Sequence, residues 1–383
     1  MSETNVRGQD EALALLRAAW KTGHIGHSYL FHGPAGVGKT RAALQFARAL
    51  LCERPTADGA PCDSCPSCVS ALALRHPDLE LLVPLPTFRT EGRTEKQADE
   101  ARSEARARIR ERYAKEAWFA PIFSRPVVHS VEDLARAKEF LALTPERDDG
   151  WKVLIVKGAE AMTEPAAHAF LKVLEEPLPR RVLILGARQK SGLLPTIVSR
   201  CLPVRFRPLK AEVIEGALVE GYGVPRATAK LAADTAQGSL TRAVAPFVMP
   251  MDAAGKDTPD PAEFGRLRDA AIDLFVRPKT SAVMGPLRRA RLERDRGRFL
   301  AAVGLATHYY RDVIRAQVGG EGMAPAHRDL AREIASDARA LPLETLSERV
   351  RILEEIAESV QSNVTVAYAV ASAQHRMGLF ART

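Results

Sequence analysis

The sequence predicts an α/β domain built on a parallel sheet, followed by an all-helical C-terminal half. Three observations lead there. Short apolar strands alternate with amphipathic helical runs from 27 to 206, the pattern of a parallel sheet covered by helices. A glycine-rich stretch, Gly33-Pro-Ala-Gly-Val-Gly-Lys39-Thr40, lies between the first strand and the helix after it. From about 209 onward strand patterns stop and helical periodicity takes over.

Taken in order, residues 9–22 form a helix with Ala12, Leu13, Leu16 and Ala19 on one face. "HSYLF" (27–31) is a strand, and "RAALQFARALLC" (41–52) is helical. "DLELLVP" (78–84) reads as another strand. Residues 90–118 are almost all charge and alanine, which predicts a solvated helical arm without a catalytic role. Ser130 and Asp133 form a capping-box pattern ahead of a helix carrying Val131, Leu134, Ala135 and Leu141 on one face. Val153-Leu154-Ile155-Val156 is a buried parallel strand by its β-branched apolar run. Thr163 caps the next helix, Pro165 sits in its first turn, and Pro177 ends it. "RVLILGA" (181–187) is a further strand.

These patterns divide the chain into an α/β domain (1–208), a short helical stretch (209–250), a Pro/Gly/Asp-rich linker (251–262) and a long helical stretch (263–383). Within the first lie a cysteine loop at 52–68 and a charged insertion at 87–125. Amphipathic runs fill 298–317, 326–340 and 343–378.

With 383 residues the chain is long enough for two or three domains. No apolar run approaches the roughly 20 residues needed to span a bilayer. The N-terminal residues lack the basic start and apolar core of a signal peptide, so a cytoplasmic protein is expected. The net charge of +8 is compatible with a nucleic-acid partner without requiring one.

The glycine-rich stretch matches G-x-x-x-x-G-K-[ST] in full. Gly33, Gly36 and Gly38 let backbone N–H groups turn inward around a β-phosphate, and the following helix adds its positive end. Lys39 reaches the terminal phosphates, and Thr40 offers a hydroxyl to Mg²⁺. Hydrolysis also needs a carboxylate on the metal and a group to orient water. The strand at 153–156 ends instead in Lys157 and Gly158. A cation there weakens Mg²⁺ binding, so the chain is expected to hold ATP poorly or statically and to hydrolyse little on its own. Glu160, the nearest acid, is out of register and is expected to be a surface or capping residue.

Cys52, Cys62, Cys65 and Cys68 follow the spacing C-x9-C-x2-C-x2-C. Clustered cysteines in a chain without an export signal suggest metal rather than disulfides. Four thiolates suit tetrahedral, structural Zn²⁺; an iron–sulfur centre is the alternative. Cys201 stands alone and reads as a packed thiol.

In combination these stretches carry a resemblance. The order is "GQDEALALLRAAWKTGHIGHSYLFHGPAGVGKT", the four-cysteine loop, "HPDL" (76–79), "AAHAFLKVLEEP", "LLPTIVSRC" (193–201) and "GSLTRAV" (238–244). It resembles the clamp-loader AAA+ ATPases of bacterial DNA polymerase III, strongly over 6–245 and weakly over the C-terminal helices. That implies an AAA+ P-loop NTPase-type parallel sheet with a helical lid and a C-terminal all-α collar. Three departures separate it from the tau/gamma motors. Lys157-Gly158 replaces their Asp-Glu pair. Gly186 and Ala187 stand where a polar residue would sense phosphate. Arg242 lies one place later than the motors' arginine after "GS". All three are similar to the delta-prime family, and so is "ESVQSNVTVAYAV" (358–370). The resemblance implies a stator that completes a ring and supplies Arg200 as an arginine finger in trans. It implies motor subunits (tau/gamma), a delta subunit, the sliding clamp and primed DNA as partners, and no membrane. Two other readings stay open: a divergent tau/gamma-like motor, and a stand-alone nucleotide-dependent switch.

Overall fold

The computed structural model describes residues 6–379 except 87–94, 116–118, 120, 122, 124–125, 245–246, 248–260, 279–283, 294, 320–324, 326 and 362–363. The chain divides into two compact units. The first comprises 1–121 with 125–213, the second 122–124 with 214–383.

The first unit begins with α1 (Asp10–Lys21), β1 (Ser28–His32) and α2 (Lys39–Leu51). There follow α3 (Pro66–Leu72), β2 (Leu79–Leu82), β3 (Leu85–Pro86), α4 (Glu95–Lys115), β4 (Val127–Val128) and α5 (Val131–Ala142). β5 (Lys152–Lys157), α6 (Glu164–Glu175), β6 (Arg181–Ala187), α7 (Pro195–Val198) and β7 (Leu202–Arg205) complete it. Among the described residues the main sheet has the order β2-β5-β6-β1-β7, and every pairing is parallel. The central strands are apolar on both faces, as a parallel sheet between helices requires: Tyr29, Leu30, Phe31, Val153, Leu154, Val156, Val182 and Ile184 are all buried. α5 and α6 cover one face through Leu134, Leu141, Phe170 and Leu174. α2 lies over β5 and β6, and its Phe46 meets the edge of Tyr29 at 5.5 Å. The Ser130–Asp133 capping box forms in both directions. Thr163 caps α6 by backbone conformation, without a side-chain bond.

The charged insertion departs from the sequence expectation. It leaves and re-enters through β3 and β4, which pair antiparallel, Leu85 opposite Val128. Its helix α4 is docked as well as solvated. Ile109 and Tyr113 are buried, Arg106 pairs with Asp133, and Arg110 pairs with Glu80 at 3.0 Å. A helix that is polar by composition thus uses two apolar residues and two arginines as its attachment. The insertion's residues 87–94 lie outside the described set.

The second unit is helical among the described residues: α8 (Ala211–Tyr222, entering from the first unit), α9 (Arg226–Thr235), α10 (Leu240–Val244), α11 (Pro261–Phe275) and α12 (Met284–Arg289) come first. α13 (Arg296–Val318), α14 (Ala331–Ala340), α15 (Leu343–Gln361) and α16 (Val366–Arg376) follow. α13 is the central helix, packed by α11, α14 and α15. The Tyr310 hydroxyl donates to the Phe275 carbonyl at 2.7 Å, and Tyr309 donates to Asp337 at 2.6 Å. The helices expected as a lid and those expected as a collar share this one unit, with α9 against α13. Residues 251–260 of the expected linker lie outside the described set.

At the end of the sheet away from the glycine loop, the Lys152 ammonium meets Asp78 at 2.6 Å. Both residues are buried, and Asp78 also accepts the Glu146 N–H at 2.9 Å. This pair ties the start of β2 to the start of β5. Asp78→Ala leaves a buried ammonium without its partner and should cost about 3–5 kcal/mol, read as a lower urea midpoint with an unchanged slope. A double replacement that also makes Lys152→Met should recover much of the loss.

Candidate functional site

The glycine loop hangs from β1 and from its two neighbours. The Gly33 N–H donates to the Ala187 carbonyl of β6 at 3.2 Å. On the other side, a Cβ on Gly33 would lie 2.2 Å from the Phe206 carbonyl oxygen, so only glycine passes there. The loop then turns into α2, whose first residues are Lys39 and Thr40. The Lys39 ammonium curls back onto the carbonyls of Gly33 and Pro34, at 2.5 and 2.6 Å. Buried Gln9 holds the loop from outside, donating to the Val37 and Arg207 carbonyls at 3.0 and 2.8 Å. Sequence reading placed residue 9 at the head of a helix and missed this clamp. The signal was a glutamine where a capping residue would be commoner.

Lys157 ends β5 beside Gly186 of β6. Burial lowers the Lys157 pKa to about 8, assisted by Arg188 and opposed by Glu160. Burial likewise brings Lys39 to about 8, with Glu160 opposing and Lys157 and Arg188 assisting. His32, at the end of β1, is lowered by burial and by Lys190, Arg205 and Lys39. The open end of the sheet is therefore strongly positive. His129 is fully buried and donates from Nε2 to the Lys157 carbonyl at 2.8 Å. Desolvation holds its pKa near 4, so it is neutral at pH 7.

Glu160 differs from expectation. It rides the short turn after β5 and is a quarter exposed, set beside Arg188, whose Nε lies at 3.5 Å. It accepts the Arg188 N–H at 3.3 Å and acts electrostatically on both lysines. It serves as a counter-charge among cations and caps no helix. The register, unreadable from an isolated strand pattern, decides this.

The cysteine loop does come together. The four Sγ atoms lie within 4.8 Å of one another. Cys52 to Cys65 is 3.9 Å and Cys62 to Cys68 is 4.0 Å. A tetrahedral tetrathiolate with metal–sulfur bonds of about 2.3 Å has edges of about 3.8 Å. Backbone N–H groups of Cys62, Cys65 and Cys68 point at Cys52, Cys62 and Cys65 sulfurs, each at 3.3 Å. Such donors favour thiolate; those from Ser64 and Cys65 bring Cys62 down to about 6. Burial raises Cys52 and Cys68, the penalty that a bound cation would relieve. The residues fit a soft, tetrahedral metal ion. Cys201 is buried in the core, its pKa raised to about 11.

Arg200 follows α7 and is partly exposed. Its guanidinium pairs with Glu175 at 2.8 Å and donates to the Thr196 carbonyl at 3.0 Å. Arg242, in the second unit, donates to Gln237 at 2.5 Å.

Comparison with known proteins decides the family. The profile described as "DNA polymerase III, delta subunit" matches residues 8–210. The chain belongs to this family. Relatives place it in the delta-prime branch of clamp-loader proteins. DNA polymerase III subunit delta' of Bacillus subtilis is 27% identical over 94% of this chain and 92% of its own length. The delta' subunit of Pseudomonas aeruginosa is 38% identical over 46% of this chain, and the match spans only 42% of that relative. A gamma/tau subunit of Mycobacterium tuberculosis is 32% identical over 57% of this chain but over 30% of that relative. The likeness to the Bacillus subtilis delta' subunit runs nearly end to end.

The backbone at Gly158 disfavours the glutamate that the motors' acidic pair would place there. Its φ is +66°, and a Cβ there would meet the Pro84 ring at 3.3 Å. Gly158→Glu should destabilise the chain by about 1–2 kcal/mol, visible in urea unfolding. A Lys157→Asp change alone should cost less.

Proposed function

We propose that this chain is the stator of a DNA polymerase III clamp loader. It assembles with tau/gamma motors and a delta subunit into a ring that opens the sliding clamp onto primed DNA. The observation that carries this is the end of β5. Lys157 and a left-handed Gly158 occupy the place of the acidic pair, and the neighbouring strand end, Gly186-Ala187, offers no polar side chain. A chain so built holds a fold of motor type without its hydrolytic groups. Its steady-state ATPase should be negligible. Turnover comparable to a motor subunit, abolished by Lys39→Ala, would overturn the proposal.

Arg200 acts in trans. A guanidinium at a neighbour's γ-phosphate stabilises transition-state charge, and such fingers are worth about 10³–10⁵ in rate. The contact with Glu175 is an exposed ion pair, worth about 0.2–1 kcal/mol, so releasing the arginine to a neighbour is cheap. Arg200→Ala should shift the stability of the isolated chain by less than about 1 kcal/mol and leave the ring assembled. The clamp- and DNA-stimulated ATPase of the reconstituted loader should fall, and lysine should rescue poorly because it lacks the planar fork. The loss is partial, since other interfaces keep their own arginines. An unchanged rate in a normally assembled ring would remove the role.

The four cysteines hold one structural Zn²⁺, which closes its shell with four thiolates and leaves no open position. Cys52 ends α2, and buried Arg48 of the same helix pairs with Asp63 inside the loop. Stripping the metal should therefore fray the last turn of α2 and loosen 52–68, while the glycine loop at the other end of the helix stays formed. Elemental analysis should give one zinc per chain; a stoichiometry near zero, or iron, would count against it.

A further inference from the structure

Arg48 is the one charge among the buried residues of α2. Its side chain is 3% exposed, and its Nη2 donates to the Asp63 carboxylate. Nε and Nη1 are buried as well and meet no acceptor among the described residues. A charged donor buried without an acceptor is costly, and native proteins keep few of them. The dipole of α2 does not explain it. Arg48 lies in the last turn of the helix, where a cation is favoured, but a solvated cation would serve the dipole as well. The surroundings offer a better reason. Arg48 precedes the ligand Cys52 by one helical turn. Asp63 follows Cys62 directly and takes a left-handed backbone conformation, φ +60°, which aspartate tolerates. From the turn that Asp63 opens, the Cys65 N–H donates to Cys62 Sγ at 3.3 Å. The guanidinium is thus fixed between the two chain segments that carry the cysteines.

We infer that Arg48 is the counter-charge of the four-cysteine metal site: its buried guanidinium stabilises the loaded tetrathiolate and sets how tightly the ion is held. The inference rests on the reading of the four cysteines as a metal site. Its chemistry is charge balance. Four thiolates around a divalent ion leave two negative charges in excess, and Cys52, Cys65 and Cys68 are buried. Water can solvate little of that charge, so a cation held in the protein interior is needed. Asp63 does not cancel Arg48, because its side chain is 41% exposed and solvent screens it. A purely mechanical tie would not need a buried charge, and the loop already has one of that kind. Glu53, the residue after Cys52, accepts from the Ser67 N–H and hydroxyl, at 3.2 and 2.9 Å, on the residue before Cys68. Arg48 therefore adds charge where position is already secured.

The test is the zinc affinity of the full chain, measured by competition with a chromogenic chelator. Co²⁺ serves as a second probe, since its sulfur-to-metal absorption reports tetrathiolate ligation, and urea unfolding of the metal-free form controls for the fold. Arg48→Met should weaken zinc binding by about ten- to hundredfold, the range for groups that stand behind metal ligands. The metal-free form should lose no stability, because an unmatched buried charge has gone, and the Co²⁺ spectrum should keep its tetrathiolate form. Arg48→Lys should retain most of the affinity, since it retains the charge. Asp63→Asn removes the opposing charge and should leave zinc binding unchanged or tighter. An unchanged zinc affinity in Arg48→Met would overturn the inference and leave the metal-site reading standing. So would a loss of affinity in Asp63→Asn, the mark of a mechanical clasp; that exposed position decides alone if Arg48→Met does not fold. A wild-type chain that takes neither Zn²⁺ nor Co²⁺ would remove the metal site, and the inference with it.

Discussion

Everything at the phosphate end depends on the parallel register that sets β1 between β6 and β7. That register brings the Ala187 and Phe206 carbonyls to the two sides of Gly33, so the loop can take one course only. The same register puts Lys157 beside Gly186 and Glu160 beside Arg188. Like charges gathered at one point oppose folding. The chain tolerates them because they project from the open ends of strands, while the strands' apolar interiors carry the stability.

α2 transmits this arrangement. Its first turn carries Lys39 and Thr40, and its end carries Cys52. In between, Arg48 reaches into the cysteine loop and Arg41 holds the inserted helix. One thirteen-residue helix thus joins the glycine loop, the four-cysteine cluster and the insertion. Under the proposed function such bracing has a use: a part that presents an arginine to a neighbour should not move when its own loop is filled. Arg200 fits that logic. Its backbone carbonyl is gripped by Ser28 at the start of β1, at 2.5 Å, while its guanidinium is held only by exposed partners.

The proposed function places the departure from the motors' chemistry in more than one position. Restoring an acidic side chain at Lys157 would leave Gly158 in a conformation that disfavours a glutamate and Gly186 without a polar group. The departures agree with one another and with the proposed stator function.

The sequence by itself determined the parallel α/β domain and its helical continuation. Strand and helix periodicities are local, and each apolar run here had the length and boundaries of its element. The glycine loop and the four cysteines were equally legible, because their chemistry is fixed by spacing within a few residues. Lys157 and Gly158 could be read as a missing carboxylate pair for the same reason. What only the tertiary structure decided is who faces whom across long separations. Gln9 clamping Val37 and Arg207, Glu160 serving as counter-charge to Lys39, and Arg200 resting on Glu175 all depend on register and packing. Tyr113 is the clearest case. In a segment that is nearly all charge and alanine, one tyrosine is buried and its carbonyl is held by Arg41, 72 residues earlier in the chain. Helical periodicity cannot show this, since among the described residues the buried face of α4 is Ile109 and Tyr113 and its ion pairs come from residues that otherwise read as solvated.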